Sequence, residues 1–204
     1  MISSLSIKVL VENKVNREGL LGEHGLSLSI RCDGQDVLFD TGYGQALEYN
    51  ARELGTDLRG IGRIVLSHGH FDHTGGLGKI AALGGNRTVY GHPDLFNERF
   101  SVKGENRLSI GIPFSRKELE AEGLIFSLDT APQEVVPGLR TSGEIPRVVP
   151  MIFPGLMSGR KEALKPDLFR DDLFMLADTD WGYVLILGCT HSGLANTLEH
   201  AMKM

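Results

Sequence analysis

The chain has 204 residues, which is enough for a substantial core, and we expect a single domain over residues 1–204. Its net charge of -5, with no run of lysine or arginine, argues against a nucleic-acid partner. No apolar run has the length of a membrane span, no signal peptide precedes the first strand, and two cysteines cannot form a disulfide framework, so we expect a cytoplasmic protein without a membrane partner.

Short strands are predicted first in the chain. Residues 6–11 are rich in β-branched side chains, residues 26–32 alternate between polar and apolar, and residues 37–39 are apolar. The Asp33-Gly34 pair between the last two predicts a hairpin turn. The sequence therefore begins with a small antiparallel sheet.

Asp40 follows directly on the apolar residues 37–39, so its carboxylate lies just beyond the end of a strand. Such a position suits a group that supports a nearby site. The alternative is that Asp40 only forms a turn, because aspartate is common in turns.

Helices and strands then alternate. Apolar spacing predicts a helix over residues 45–54, a buried strand at residues 64–66, a helix at residues 76–83 and a strand at residues 88–90. This alternation is typical of an α/β fold.

The densest chemistry follows the strand at residues 64–66, where His68, His70, Asp72 and His73 occur within six residues. His68 and His70 are two apart, so in an extended segment they point to the same side and can share one ion. Asp72 and His73 diverge, which suggests a second ion about 3.5–4 Å away. Imidazole and carboxylate ligands suit zinc first, with iron or manganese as alternatives. A chance cluster in a solvated loop is disfavoured, since a loop needs no such density of histidine.

The pattern His-x-His-x-Asp-His before Thr-Gly-Gly resembles the metallo-β-lactamase superfamily. The resemblance implies an α/β fold, a four-layer αββα sandwich, with one or two metal ions at the sheet edges. It also implies that Asp40 supports the loop that carries the ligands without binding the ion itself.

The second half is predicted to contain strands at residues 124–126, 139–141 and 173–176 and a final helix from Leu194. Residues 97–117 and 148–165 show no clear period, and we expect irregular loops there. The first of these loops, with Lys103, Arg107 and Arg116, is the expected substrate cover. Residues 183–187 are the most apolar run and predict a central strand.

This apolar run leads into Cys189 and His191, just as the strand at residues 64–66 leads into His68. His191 is therefore a candidate ligand for the ion held by His68 and His70, the alternative being a mere neighbour of a helix cap. Cys189 stays open between a metal ligand and a small buried residue. His92, before a proline, is read as a turn residue and is left out of the ligand set.

The likeness narrows to a branch of the superfamily that resembles the archaeal dihydropteroate-synthase-like enzymes, which join a pyrophosphorylated dihydropterin to ribofuranosyl-aminobenzene phosphate. The motifs that carry it are Glu23-His24-Gly25-Leu26-Ser27, Asp40-Thr41-Gly42, the histidine cluster, Gly143-Glu144-Ile145-Pro146-Arg147, Asp171-Asp172 and Gly188-Cys189-Thr190-His191. The resemblance supports His191 as a ligand and implies that Glu144 and Arg147 bind substrate.

One departure from that branch concerns the end of the chain. Its members continue with another strand and a Gly-Gly-Phe-His-like segment whose histidine completes the second ion's ligands, whereas this chain ends at Met204. We therefore expect a sandwich that is short at its C-terminal end and one tightly held ion. The second site is then empty or weak, or water or a partner chain fills the gap, or the sequence is a fragment. The role of His24 is left open, and a homodimer would cover the exposed sheet edge.

The sequence thus predicts a metal-dependent hydrolase or transferase that acts on a phosphorylated or pyrophosphorylated small molecule. Metal-activated water or a metal-stabilised leaving group would supply the chemistry, with Asp72 as the catalytic proton acceptor. The alternative is a metal-binding module with little or no turnover. The two differ in coordination, because a catalytic ion keeps a water whereas a structural ion is closed by protein ligands.

Overall fold

A computed structural model describes all 204 residues. The strands are β1 Leu5–Val11, β2 Ser27–Cys32, β3 Gln35–Phe39, β4 Arg63–Val65, β5 Arg87–Gly91, β6 Arg99–Lys103, β7 Asn106–Ser109, β8 Leu124–Leu128, β9 Glu134–Val136, β10 Leu139–Thr141, β11 Leu156–Ser158, β12 Lys165–Pro166, β13 Phe174–Thr179 and β14 Gly182–Leu187. The α-helices are α1 Leu47–Glu53, α2 Phe71–Thr74, α3 Leu77–Ala82, α4 Arg116–Ala121 and α5 Leu194–Ala201, and a short 3-10 helix spans Pro93–Phe96.

Two main sheets form the centre of the fold. The first has six strands in the order β1-β2-β3-β4-β5-β8, antiparallel from β1 to β3 and parallel from β3 to β8. The second has four antiparallel strands in the order β14-β13-β10-β9. A third, small sheet with the order β12-β11-β6-β7 lies beside them.

Alternation along the strands divides the core into layers. In β3, Leu38 joins a cluster with α1, α3 and α4, whereas Val37 and Phe39 join a cluster with the second sheet. In β13, Met175 faces the first sheet while Phe174 packs towards α5. Because successive strand residues point to opposite faces, this pattern yields helices, sheet, sheet and helix. The fold is therefore the predicted four-layer αββα sandwich.

The predicted hairpin between β2 and β3 is present, and both of its turn residues adopt left-handed backbone angles. Asp33 has φ 46° and Gly34 has φ 84°. Aspartate followed by glycine tolerates these angles, and the turn they form matches the twist of the flanking strands.

The prediction that residues 97–117 and 148–165 form irregular loops is wrong in part. Residues 97–117 contain the hairpin of β6 and β7 and the start of α4, and residues 148–165 contain β11, which pairs with β6. The β7 residues are all exposed and β6 is buried only at its start, so the sequence carries no clear period there. Arg116 of the expected cover instead pairs with Glu120 on α4, with 2.6 Å from Nε to Oε1.

The prediction that residues 183–187 form a central strand is also wrong, because the strand lies at an edge. The apolar run in β14 forms an edge of the second sheet, with Tyr183 exposed. Its inward residue Ile186 packs between the sheets, while Leu185 and Leu187 pack towards α5. Apolar contact on both faces explains the composition, although only one side of β14 is hydrogen-bonded to a neighbour.

No helix of the chain is long and apolar enough to cross a membrane.

Candidate metal centre

The chemistry-bearing residues lie where strands of the two main sheets end. Asp40 follows β3, the loop with His68 and His70 follows β4, and the loop with His191 follows β14. Since the two sheets pack face to face, these exits from different sheets meet at one edge of the sandwich. The site is therefore built by both halves of the chain.

A first cluster consists of His68, His70 and His191. One ring nitrogen of each lies within 4.8 Å of the others, and the ring centroids are 4.6 to 4.9 Å apart. Nε2 of His68, Nε2 of His70 and both nitrogens of His191 are buried and have no hydrogen-bond partner. Buried polar atoms are almost always paired, so one unpaired nitrogen from each of three rings, all within 4.8 Å of one another, indicates a missing ligand.

The charge state of this cluster also suits a metal. Burial, together with the neighbouring histidines and Arg99, lowers the pKa of His68 well below its usual value. Burial likewise lowers the pKa of His70 to about 2 and that of His191 to about 4. All three rings are therefore neutral at pH 7, which is the form that binds a metal ion. The residues present fit a transition-metal ion.

A second cluster consists of His68, His73 and Cys189, whose ligand atoms also lie within 4.8 Å of one another. The Cys189 thiol is exposed and 3.1 Å from His73 Nε2, so it is not the buried residue that the sequence left as one alternative. Thr190, with φ 54°, turns the chain between Cys189 and His191. These near neighbours thus reach different clusters.

Asp72 lies at the margin of the second cluster, with its Oδ2 3.5 Å from His73 Nε2 and 3.3 Å from Nε2 of His24. Asp72, His73, His24 and Cys189 line one cleft of about 480 Å³. The sequence predicted the Asp72 and His73 pair here, kept Cys189 open as a metal ligand and left the role of His24 open. The only signal for His24 was its place in the Glu-His-Gly motif.

Asp40 connects the metal loop to the sheet. Its carboxylate accepts hydrogen bonds from the Ser67 backbone nitrogen and hydroxyl, each at 2.7 Å, and its Oδ2 lies 2.6 Å from His73 Nδ1. Burial alone would lower the pKa of His73, but the Asp40 carboxylate raises it well above the usual value. Asp40 thereby fixes the His73 ring with Nε2 turned towards Cys189.

The carboxylates of the adjacent residues Asp171 and Asp172 form hydrogen bonds with two loops, the one that carries His68 and His70 and the one that carries His191. Asp171 Oδ2 accepts a hydrogen bond from the Gly69 nitrogen, and Asp172 Oδ2 accepts one from the Ser192 nitrogen, both at 2.7 Å. Asp171 also forms an ion pair of 2.7 Å with the buried Arg99. Burial raises the pKa of Asp171 and raises that of Asp172 to about 6. The sequence gave these two residues no role, although they directly precede the strand paired with β14.

The buried ring of Phe169 covers the first cluster. It stacks on His191 with 4.2 Å between ring centroids and meets His70 edge-on at 5.4 Å. Phe169 has φ 47°, an angle unfavourable for a bulky residue, so the surrounding packing must hold it in place. No sequence pattern singled out this residue.

Phe169 also lines a cleft of about 760 Å³. Arg160, Lys165 and Arg170 line it and form no salt bridge, while Asp94 and Glu98 contribute opposite charge. The cleft is therefore weakly cationic and adjoins the metal centre through one aromatic ring.

The two residues predicted to bind substrate, Glu144 and Arg147, make different contacts. Arg147 Nη2 donates a hydrogen bond of 2.7 Å to the Phe169 carbonyl oxygen, and its buried Nη1 has no partner. Burial lowers the pKa of Arg147. Glu144 instead lies 3.3 Å from the buried His92, and no hydrogen bond joins it to the clusters. His92 Nδ1 caps the 3-10 helix, which agrees with the turn role predicted for it.

Comparison with known families gives a match over most of the chain. The family model described as the metallo-beta-lactamase superfamily matches residues 23–199. The archaeon Methanocaldococcus jannaschii has a 7,8-dihydropterin-6-methyl-4-(beta-D-ribofuranosyl)-aminobenzene-5'-phosphate synthase that is 29% identical over 194 residues. The match covers 89% of this chain and 66% of the synthase, so the chain spans just under two thirds of that relative. An uncharacterised protein of the same archaeon is also 29% identical, with 97% of this chain and 74% of that protein covered.

Comparison with solved structures also finds proteins of similar fold. The crystal structure of a metal-dependent hydrolase of the beta-lactamase superfamily matches with a TM-score of 0.82 and 27% identity over 98% of this chain and 72% of that one. A quorum-quenching N-acyl homoserine lactone lactonase matches with a TM-score of 0.55 and 14% identity over 99% of this chain and 88% of that one. The second likeness concerns the fold alone.

Proposed function

The chain belongs to the metallo-β-lactamase superfamily, and on that basis we propose that it is a metal-dependent enzyme that hydrolyses or transfers groups of phosphorylated or pyrophosphorylated small molecules. The observation that carries this proposal is the set of orphaned buried nitrogens on His68, His70 and His191. A bound ion there would lower the pKa of a water to about 7 or stabilise a leaving phosphate. Zinc is the proposed metal, because imidazole and thiolate donors at the two clusters suit it well.

Asp72 is the proposed proton acceptor. It is largely buried beside the histidines, yet it lines the open cleft shared with His73 and Cys189. A carboxylate in that position can accept a proton from an attacking water or hydroxyl group that enters the cleft. The hydrogen bond between His73 Nδ1 and Asp40 orients the histidine beside Asp72.

Two features support an anionic substrate. Arg147 has a buried Nη1 without a partner, and Arg160, Lys165 and Arg170 face the larger cleft without salt bridges. Guanidinium groups match phosphate oxygens in fork geometry. The similarity to a synthase whose name includes a 5'-phosphate supports the same class of substrate.

The test compares ester classes on metal-reconstituted protein. Stripped protein loaded with Zn²⁺, Fe²⁺ or Mn²⁺ is assayed with a phosphodiester, a phosphomonoester and an uncharged carboxylic ester of p-nitrophenol. Turnover of a phosphate ester that disappears in His68→Ala/His70→Ala but persists in His200→Asn is the expected result. His200 is a matched histidine outside both clusters, bonded to the Ser142 carbonyl oxygen.

Two outcomes would contradict the proposal. Turnover of the carboxylic ester alone would remove the phosphate assignment while keeping a metal-dependent enzyme. Tightly bound metal with no turnover of any ester, nor of a pyrophosphate substrate, would leave the metal-binding module as the function.

A further inference from the structure

Two histidines of the first cluster differ in what orients their rings. His68 Nδ1 lies 2.9 Å from the Ser67 hydroxyl, and this hydrogen bond leaves Nε2 as the free nitrogen of that ring. Both nitrogens of His191 are buried, and neither has a hydrogen-bond partner. A metal-binding histidine ordinarily uses its second nitrogen for such a bond, which sets the direction of the ring. A different contact must therefore set the direction of His191.

Aromatic rings contact His191 on a face and at an edge. The Phe169 ring lies nearly parallel to it, with an interplanar angle of 12° and 4.2 Å between ring centroids. The Phe153 ring meets it at 85°, with 5.2 Å between centroids. Rotation of the imidazole about its side-chain bonds would push it into the Phe169 ring, because the two rings are already in van der Waals contact. Packing thus restricts His191 where no hydrogen bond does.

Phe169 is itself held in place by hydrogen bonds on both sides of its backbone. Its nitrogen donates to Asp167 Oδ1 at 2.8 Å, and its carbonyl oxygen accepts from Arg147 Nη2 at 2.7 Å and from the Asp172 nitrogen at 3.1 Å. The buried Arg99 in turn contacts Asp167, with 3.0 Å between Nε and Oδ2. These bonds hold Phe169 at its φ of 47°, which costs free energy for a bulky side chain.

The Phe169 ring touches two of the three histidines of the cluster. Besides stacking on His191, it meets His70 edge-on, with 5.4 Å between centroids and an interplanar angle of 89°. Phe169 comes from the segment between β12 and β13, which carries none of these histidines. Strained residues persist only where their surroundings hold them, and they are concentrated at functional sites. The strain at Phe169 therefore points to a role at the metal centre.

We propose that Phe169 is a positioning residue of the first cluster, and that its ring directs one nitrogen of His191 towards the other two histidines. The inference rests on the proposed function, because this cluster is the proposed metal site. A phenyl ring has no ligand atom, so Phe169 acts through His191 and not on the ion itself. The affinity of the cluster for a metal ion then depends on a flat ring at position 169.

The test compares Phe169→Leu with the matched control Phe174→Leu. Leucine is also apolar and bulky, but it lacks the flat face that stacks on His191. Phe174 is as buried as Phe169, with 1% of each residue exposed, and it packs towards α5. Its variant therefore measures the effect of lost core packing alone. Phe169→Tyr is the conservative variant, because it keeps the ring.

NMR signals of the His191 ring protons give the readout. They report on the first cluster, because His191 belongs to no other group of candidate ligands. The signals are recorded for the metal-free protein and again during addition of Zn²⁺ in the presence of a competing chelator. Urea unfolding of the metal-free variants measures stability separately.

In the metal-free wild type, the ring current of Phe169 should shift the His191 ring protons upfield. Phe169→Leu should lose this shift, and its zinc affinity at the first cluster should fall about 10-fold or more, the range usual for groups that orient a ligand. Phe174→Leu should lose stability but keep the wild-type shifts and affinity. Phe169→Tyr should keep both as well.

The outcomes distinguish this inference from the proposed function. Wild-type affinity in Phe169→Leu, an equal loss of affinity in Phe174→Leu, or a loss in Phe169→Tyr as large as in Phe169→Leu would overturn the role of Phe169 and leave the metal centre intact. A wild type whose His191 signals do not respond to zinc would overturn the proposed function together with the inference.

Discussion

Asp171 and Asp172 are adjacent in the chain, yet their carboxylates support opposite halves of the metal centre: Asp171 binds the Gly69 nitrogen in the loop of the first sheet, and Asp172 binds the Ser192 nitrogen in the loop of the second. One dipeptide therefore contacts both the loop that carries His70 and the loop that carries His191. This connection between the sheets suggests how the first cluster is assembled before any ion binds.

Asp171→Asn and Asp172→Asn should each weaken binding of the first ion. Each variant replaces a charged acceptor of a buried backbone N–H, so we expect the free energy of unfolding to fall by about 1–3 kcal/mol and metal affinity to fall about 10-fold. Chelator competition and urea unfolding measure the two effects. Asp94→Asn is the control, since no hydrogen bond involves its side chain. Lost stability with unchanged affinity in both variants would restrict the dipeptide to a structural role.

Asp40→Asn should lower metal affinity by about 10–100-fold without removing the ion, the range usual for groups that orient a ligand. Asparagine tolerates the φ of 56° at this position, but its amide nitrogen cannot accept a hydrogen bond from His73 Nδ1. The affinity is measured by competition with a chelator, with the surface variant Asp36→Asn as reference. Equal occupancy in both variants would mean that Asp40 only forms a turn.

The resemblance to the metallo-β-lactamase superfamily predicted the layers of the fold, and the pattern of apolar residues predicted the strand ends that carry the site. Strand alternation and the apolar runs before Asp40, His68 and His191 fixed those positions, because burial imposes a period that can be read without coordinates. The hairpin of β6 and β7 was missed, since its residues are mostly exposed and carry no such period.

The site residues whose positions the sequence did not predict depend on contacts between distant segments. His24 and Phe169 approach the cluster through tertiary packing between segments far apart in the chain, and the same packing brings Cys189, which the sequence left open as a metal ligand, to His73. Nothing in their local sequence fixes that approach. The predicted homodimer stays a prediction.

The metal-free protein should lose stability as the pH falls below 6.5. Burial lowers the pKa of His191 from 6.5 to about 4, so its contribution is complete above pH 6.5 and is lost as the pH falls to about 4. The loss amounts to at most about 3 kcal/mol. Urea midpoints at several pH values should therefore show a shallower slope for His191→Asn than for the wild type. Equal slopes would contradict the buried, neutral state of this ring.

The two cysteines should differ sharply in reactivity. Burial raises the pKa of Cys32 to about 11, and its thiol is inaccessible, whereas Cys189 is exposed at the second cluster. Only one thiol should react quickly with iodoacetamide at pH 8, and peptide mapping should identify it as Cys189. Zinc should slow that reaction, and Cys189→Ser should abolish it. Equal alkylation with and without zinc would show that the thiol binds no metal.

Anomalous diffraction from crystals of the zinc-reconstituted protein, recorded on both sides of the zinc absorption edge, tests the metal centre most directly. The expected result is a strong peak within about 2.0–2.1 Å of Nε2 of His68, Nε2 of His70 and one ring nitrogen of His191. Elemental analysis of the same protein shows whether it contains zinc. If it does and the map has no peak between these three rings, the assignment of His68, His70 and His191 as ligands is wrong.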